Sequence, residues 1–222
     1  MSDSTPNTYV CLEDMKPAPV GKTVLFIADC SPSMGAADNN CIAELREGLA
    51  GMCQAGEQIP NSKFGLISFA NDTRAHGPNG AAFSVIHTHE DILKLKFYPN
   101  KEWENNITPD TLPLYGSKTA LYDTVQFVAT AILIGNLKVD VIAITTDGAD
   151  NASTCTREVY ENLLALLKIK GVTVLLHVIG NAAKVAHGGS KALYRGYQES
   201  ANASDTVGAY KSMSAQCYEA PE

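Results

Sequence analysis

The stretch Val24-Leu25-Phe26-Ile27-Ala28-Asp29-Cys30-Ser31-Pro32-Ser33 decides how this chain is read. Its first five residues are apolar without alternation, the pattern of a strand buried on both faces. Its last five carry one carboxylate and two hydroxyls at alternate positions, at the mouth of that strand. Oxygen donors so arranged suit a hard divalent cation better than a catalytic nucleophile.

Further strands are expected outward from this point. Phe64–Ala70, Val139–Thr146 and Val172–Ile179 are strand runs, Phe83–His87 is a shorter one, and Thr206–Tyr210 reads as a weak last strand. Helical spacing predicts a helix carrying Ile42, Leu45, Leu49 and Met52/Cys53, capped by Asp38 or Asn39. Helices are also expected over Thr119–Ile134, Thr156–Lys168 and Ser190–Ala201. Thr88-x-x-Asp91 resembles a capping box for a short helix. Pro99–Lys118 holds three prolines and the chain's one Trp without periodicity, a long loop of the kind that often carries function.

Strands alternating with helices imply an α/β domain, a doubly wound, mostly parallel six-stranded sheet with helices on both faces. The expected division is an N-terminal arm (1–20), one domain (21–210) and a C-terminal tail (211–222). With 222 residues and 45% apolar content the chain can bury a full core. In the strand order 3-2-1-4-5-6 the first and fourth strands flank the switch point, where such sheets bind ligands. Asp29 ends the first and Asp147 ends the fourth. Thr119 comes from the connection leading to the fourth, so these oxygens would face one crevice.

A net charge of −7 argues against nucleic acid as a partner. The N-terminus has no secretory pattern, and no apolar run reaches the ~20 residues that span a bilayer, so no membrane role is expected. Six cysteines without C-x-x-C fit reduced thiols in a cytoplasmic chain. Asn71, Asn106, Asn151 and Asn202 open glycosylation sequons, which matter only outside the cytosol. Gly21-Lys22-Thr23 is not a P-loop, because a strand follows it rather than a helix. His87 and His89 share a strand face but lack a third ligand. Cys30 points away from the ligand side and has no histidine partner, so it is not read as a nucleophile.

The spacing Asp29-x-Ser31-x-Ser33, then Thr119, then Asp147 in Thr145-Thr146-Asp147-Gly148, resembles the metal-ion-dependent adhesion site (MIDAS) of von Willebrand factor A domains. The resemblance spans about Gly21–Tyr210. It implies a metal site of Asp29, Ser31, Ser33, Thr119 and Asp147 in a non-enzymatic binding module. The ion would be Mg²⁺, with Mn²⁺ or Ca²⁺ as alternatives, and one coordination position would be left for a carboxylate from a protein partner. Standalone intracellular members, such as the tellurite-resistance type, are similar in length and act as adaptors. The second reading is a structural or surface-adhesion subunit of a filament, virion or cell surface, with a homo-oligomer as one form of it.

The chain departs from the family pattern in three places. Pro32 stiffens the first loop, and Lys118 stands where glycine is frequent. Lys118 could repel the cation or attract the partner's carboxylate. The terminal helix is expected to be short or absent, leaving the sheet to be covered by the N-terminal arm or a partner. Trp103 and Tyr115 are either an aromatic rim for a partner or a cover for the sheet edge. Asp123 is expected to bond outward or to a loop, and Asp150 and Asn151 to form a polar turn near the site.

Overall fold

Continuous apolar runs become the centre of the sheet in the computed structural model, which describes residues 21–35, 40–78, 83–103 and 105–218. The expected arm, the Asp38/Asn39 cap, Cys11 and residues 219–222 lie outside these. Strands β1 (Thr23–Asp29), β2 (Lys63–Phe69), β3 (Thr73–His76), β4 (Phe83–Ile86), β5 (Tyr98–Pro99), β6 (Val141–Thr146), β7 (Thr173–Ile179) and β8 (Gly196–Ser200) form one sheet. Its order is β4-β3-β2-β1-β6-β7-β8, with β5 also paired to β2. Parallel pairing joins β2, β1, β6, β7 and β8. The β2–β3, β3–β4 and β2–β5 pairs are antiparallel.

The α/β class and the β1–β6 switch point are as expected, but the sheet has eight strands rather than six. Three strands are unexpected, β3, the two-residue β5 and β8, and the strand expected over Thr206–Tyr210 is not formed. All three are short, and pairing to β2 or β7 supplies the order that local pattern lacks.

Helices α1 (Cys41–Glu57) and α5 (Thr206–Tyr218) cover one face of the sheet. Helices α2 (Leu121–Leu133), α3 (Arg157–Ile169) and α4 (Gly180–His187) cover the other. Alternation along β1 divides these cores: Leu25 and Ile27 face the second, Val24, Phe26 and Ala28 the first. Thr156 caps α3 by accepting from the Val159 amide at 3.3 Å. Thr88 and Asp91 form the reciprocal box, and the short helix they start is a 3₁₀ turn, Asp91–Lys94.

Two predicted elements at the C-terminal end are corrected. Ser190–Ala201 is not a helix: a 3₁₀ turn (Gly188–Leu193) leads into β8, which pairs with β7. Thr206–Tyr210 is not a strand, and the terminal helix is present as α5, running through Tyr218 into the expected tail. Ala209, Tyr210, Met213 and Cys217 are buried at helical spacing against the α1 face. The Thr-Val start suggests a strand, and burial at this spacing overrides it. No partner is therefore needed to cover this face.

The loop before Thr119 is a packed strap. Trp103 is fully buried, donates its indole N–H to the Phe64 carbonyl at 3.0 Å and lies edge-on to Phe64 and Tyr98. Arg46 holds the Leu112 carbonyl at 2.7 Å. Tyr115 hydrogen-bonds Ser68 at 3.0 Å, under the Arg74 guanidinium. These aromatics cover the sheet and do not form a rim for a partner. Among the described residues, no helix is long and apolar enough to cross a membrane.

Candidate metal centre

Asp29 is the last residue of β1, and Asp147 follows the last residue of β6. The two strands are adjacent and parallel, with Ala28 opposite Thr145, so the two carboxylates emerge side by side. Pro32 opens a 3₁₀ turn, Pro32–Gly35, that carries Ser33. A proline suits the first position of such a turn, where an amide would have no partner.

Direct hydrogen bonds join four of the five predicted residues. Ser33 donates to Asp147 Oδ1 at 2.9 Å, and the Ser31 and Ser33 hydroxyls are 3.0 Å apart. Asp29 Oδ1 accepts from the Ser31 amide at 2.9 Å, and its Oδ2 accepts from the Thr146 hydroxyl at 2.6 Å. Thr119 is buried two residues before α2 rather than within a helix. A β-carbon built on Gly148 would lie 3.5 Å from the Thr119 hydroxyl, which places that hydroxyl beside the Asp147–Gly148 turn.

Electrostatics favour a cation here. Burial holds the Asp29 carboxyl above its ordinary range, against the hydrogen bonds from Thr146 and Ser31. Burial, and then the charge of Asp29, raise Asp147 to about 6, against the Ser33 bond. Two desolvated carboxylates resist joint ionisation, and a bound cation relieves both costs. Among the described residues no group of three or more His, Cys, Asp or Glu could hold a metal ion. The candidate donors are the carboxylates of Asp29 and Asp147 and the hydroxyls of Ser31, Ser33 and Thr119, a set that fits a hard ion that keeps several waters.

Several supporting residues carry little or no signal of their own in the sequence. Thr146 is adjacent to Asp147, yet its bond to Asp29 depends on strand pairing. Asn151 Oδ1 accepts from the Thr119 amide at 2.8 Å, and Asn71 Oδ1 accepts from the amides of Ser117 at 2.6 Å and Lys118 at 2.9 Å. His187 Nε2 is 3.3 Å from the Gly148 carbonyl. Asp150 accepts from the Tyr122 amide at 2.9 Å, and Asp123 accepts from the Cys155 amide at 2.7 Å, so Asp123 bonds to the loop. Lys118 is exposed. Cys30 is fully buried, and burial, then the charge of Asp29, raise its thiol well above the ordinary value, which disfavours the thiolate.

No protein-family model and no curated protein sequence matches the chain. Solved structures match in fold. Proximal thread matrix protein 1 from the mussel byssus, with a zinc-occupied MIDAS motif, gives a TM-score of 0.62 at 15% identity, over 89% of this chain and 46% of that one. A von Willebrand factor type A structure from Catenulispora acidiphila gives 0.59 at 16% identity, over 90% and 43%. The pilus adhesin SpaC from Lactobacillus rhamnosus GG gives 0.64 at 12% identity, over 92% and 31%. This chain spans less than half the length of each. At these identities the likeness is one of architecture, and with the switch point between β1 and β6 it shows that the chain has the von Willebrand factor A-type fold.

Proposed function

We propose that the chain is a non-enzymatic, divalent-cation-dependent protein-interaction module that binds an acidic residue of a partner. The observation that carries this reading is the direct hydrogen bonding of Asp29, Ser31, Ser33 and Asp147, with the Thr119 hydroxyl beside them. Those five residues would hold the ion. Mg²⁺ fits the donor set best, because it keeps waters and needs only one or two carboxylates. The zinc in the byssus protein's MIDAS motif supports a divalent ion at this place in the fold. When bound, the cation supplies positive charge that neutral hydroxyls leave uncompensated, and that charge draws in a carboxylate.

This chain's own residues orient and desolvate. Thr146 and the Ser31 amide fix the Asp29 carboxylate, Ser33 fixes Asp147, and the buried strand ends keep the dielectric low around both. We read the module as a cytoplasmic adaptor. The alternative, a structural or adhesive subunit, is kept because similar structures include a byssus matrix protein and a pilus adhesin. The face expected to be left open for a partner is covered within the chain by α5. Size that rises with concentration in light scattering would favour the subunit; a constant monomer favours the adaptor.

The test is thermal unfolding of the chain with and without Mg²⁺. At about 100 times the dissociation constant, binding adds about 2.7 kcal/mol, a Tm rise of about 5–10 °C for a domain of this size. EDTA, Asp29→Ala and Thr119→Ala should each remove the rise. A Tm indifferent to Mg²⁺ in the wild-type chain sinks the proposal.

A further inference from the structure

Four consecutive amides around Thr119 are all held by acceptors from elsewhere in the chain. Ser117 and Lys118 donate to the single oxygen Asn71 Oδ1, Thr119 donates to Asn151 Oδ1, and Ala120 donates to the Ala70 carbonyl at 2.7 Å. The Thr119 carbonyl accepts from the amides of Asn151 at 3.0 Å and Ala152 at 3.2 Å. The backbone of Thr119 is thus bonded at both ends. Among the described residues nothing hydrogen-bonds its hydroxyl, which is left to serve the cleft. Gly116 closes the arrangement: at φ +70°, a β-carbon there would stand 2.6 Å from Asn71 Oδ1.

The chemistry of the acceptors is informative. Next to this segment, amides are held by carboxylates: Asp150 takes the Tyr122 amide, and Asp123 takes those of Thr154 and Cys155. A carboxylate accepts an N–H bond more strongly than an amide oxygen does. At the three amides of Ser117, Lys118 and Thr119 the chain uses the weaker, neutral acceptor instead. An aspartate at either position would add negative charge beside a site that already holds the buried Asp29 and the half-buried Asp147.

We propose that Asn71 and Asn151 are positioning residues of the candidate cation site. Their amide oxygens aim the Thr119 hydroxyl, and their neutrality keeps the site at two carboxylates, so that a bound cation retains charge for an incoming acidic group. This rests on the cation reading given above. It goes further in assigning a charge-setting role to two residues outside the donor set.

The experiment uses the full chain in two arms. In the first, Mg²⁺ is titrated calorimetrically into wild type, Asn71→Asp, Asn151→Asp and Asn71→Ala. The aspartates keep the acceptor geometry and change only charge, so each should tighten Mg²⁺ binding by roughly three- to tenfold. Asn71→Ala should weaken it by about tenfold. In the second arm, amide hydrogen exchange at 117–119 is measured in metal-free protein. Exchange should accelerate in Asn71→Ala and be no faster than wild type in Asn71→Asp.

A purely structural asparagine would leave Mg²⁺ affinity in both aspartate variants within twofold of wild type, which overturns the charge-setting role. Unchanged exchange in Asn71→Ala overturns the positioning role. A wild-type chain that bound no Mg²⁺ would overturn the cation site and the charge-setting role together. The exchange arm would still decide whether Asn71 positions the segment.

Discussion

The turn Asp29–Gly35 and the segment Gly116–Ala120 deliver hydroxyls to the same cleft, yet they are built differently. The turn continues a central strand: the Cys30 amide still donates to the Phe69 carbonyl at 2.8 Å, and Asp29 folds back on the Ser31 amide two residues on. The Cys30 carbonyl accepts from the Tyr115 amide at 2.9 Å, and the Thr146 and Ser33 bonds tie the turn to β6 and the turn after it, while its other bonds run between near neighbours. The 116–120 segment bonds instead to loops far along the chain, through Ala70, Asn71, Asn151 and Ala152. One half of the site is partly local, and the other is held by distant loops. They should therefore respond differently to perturbation.

Asp29→Asn should give the largest contrast. It keeps an acceptor for Ser31 or Thr146 and removes a charge that helps raise Asp147. Without metal, the variant should be more stable than wild type by about 1 kcal/mol, because the like-charge cost is gone. With Mg²⁺ the order should reverse, since cation-induced stabilisation is lost. Denaturant titrations in EDTA and in Mg²⁺ measure both; a variant less stable in EDTA would break the picture of two desolvated carboxylates.

Acid should act on the side of the molecule that carries the tertiary half. His76 is buried, 2.6 Å from the Ser68 hydroxyl, and Ser68 also bonds Tyr115 just before Gly116. Burial lowers His76 from 6.5 to about 4, and burial lowers His177 likewise to about 4. Both are neutral in the folded state, so the unfolded chain binds more protons between those values. The stability these two histidines contribute is therefore full above about pH 6.5 and falls as pH drops toward about 4. Each histidine contributes up to about 3 kcal/mol. His76→Gln should flatten part of the pH profile, and exchange at 115–120 should then lose its acid sensitivity.

Gly116→Ala is expected to have the smallest of these effects. A left-handed backbone and the approach to Asn71 should cost about 1–2 kcal/mol. The loss should appear as faster exchange at 117–119, with the Asp29–Gly35 amides unaffected. Equal acceleration in both loops would show that the halves are one cooperative unit.

The same contrast explains how much was legible beforehand. The five candidate positions could be singled out because each stands at or near a strand end or just before a helix, where apolar runs stop abruptly. Asn71 could not, since one asparagine in a polar turn looks like any other until Ser117 and Lys118 are folded against it. At the C-terminal end, β8 is polar and short, and α5 begins with residues that favour strands; only packing on β7 and α1 decides them. Trp103 likewise finds its partner, the Phe64 carbonyl, 39 positions away.

The sequence by itself determined the α/β class, the buried parallel strands and the Asp29–Ser33 turn with its downstream Thr119 and Asp147. These depend on apolar periodicity and on hydrogen bonds between near neighbours, which short stretches of chain encode. The tertiary structure alone decided that α5 covers the sheet, that the aromatic strap is core, and that Asn71 and Asn151 accept the amides of Ser117, Lys118 and Thr119. Those outcomes depend on burial and on acceptors brought from distant loops, and such partners exist only once the sheet has formed.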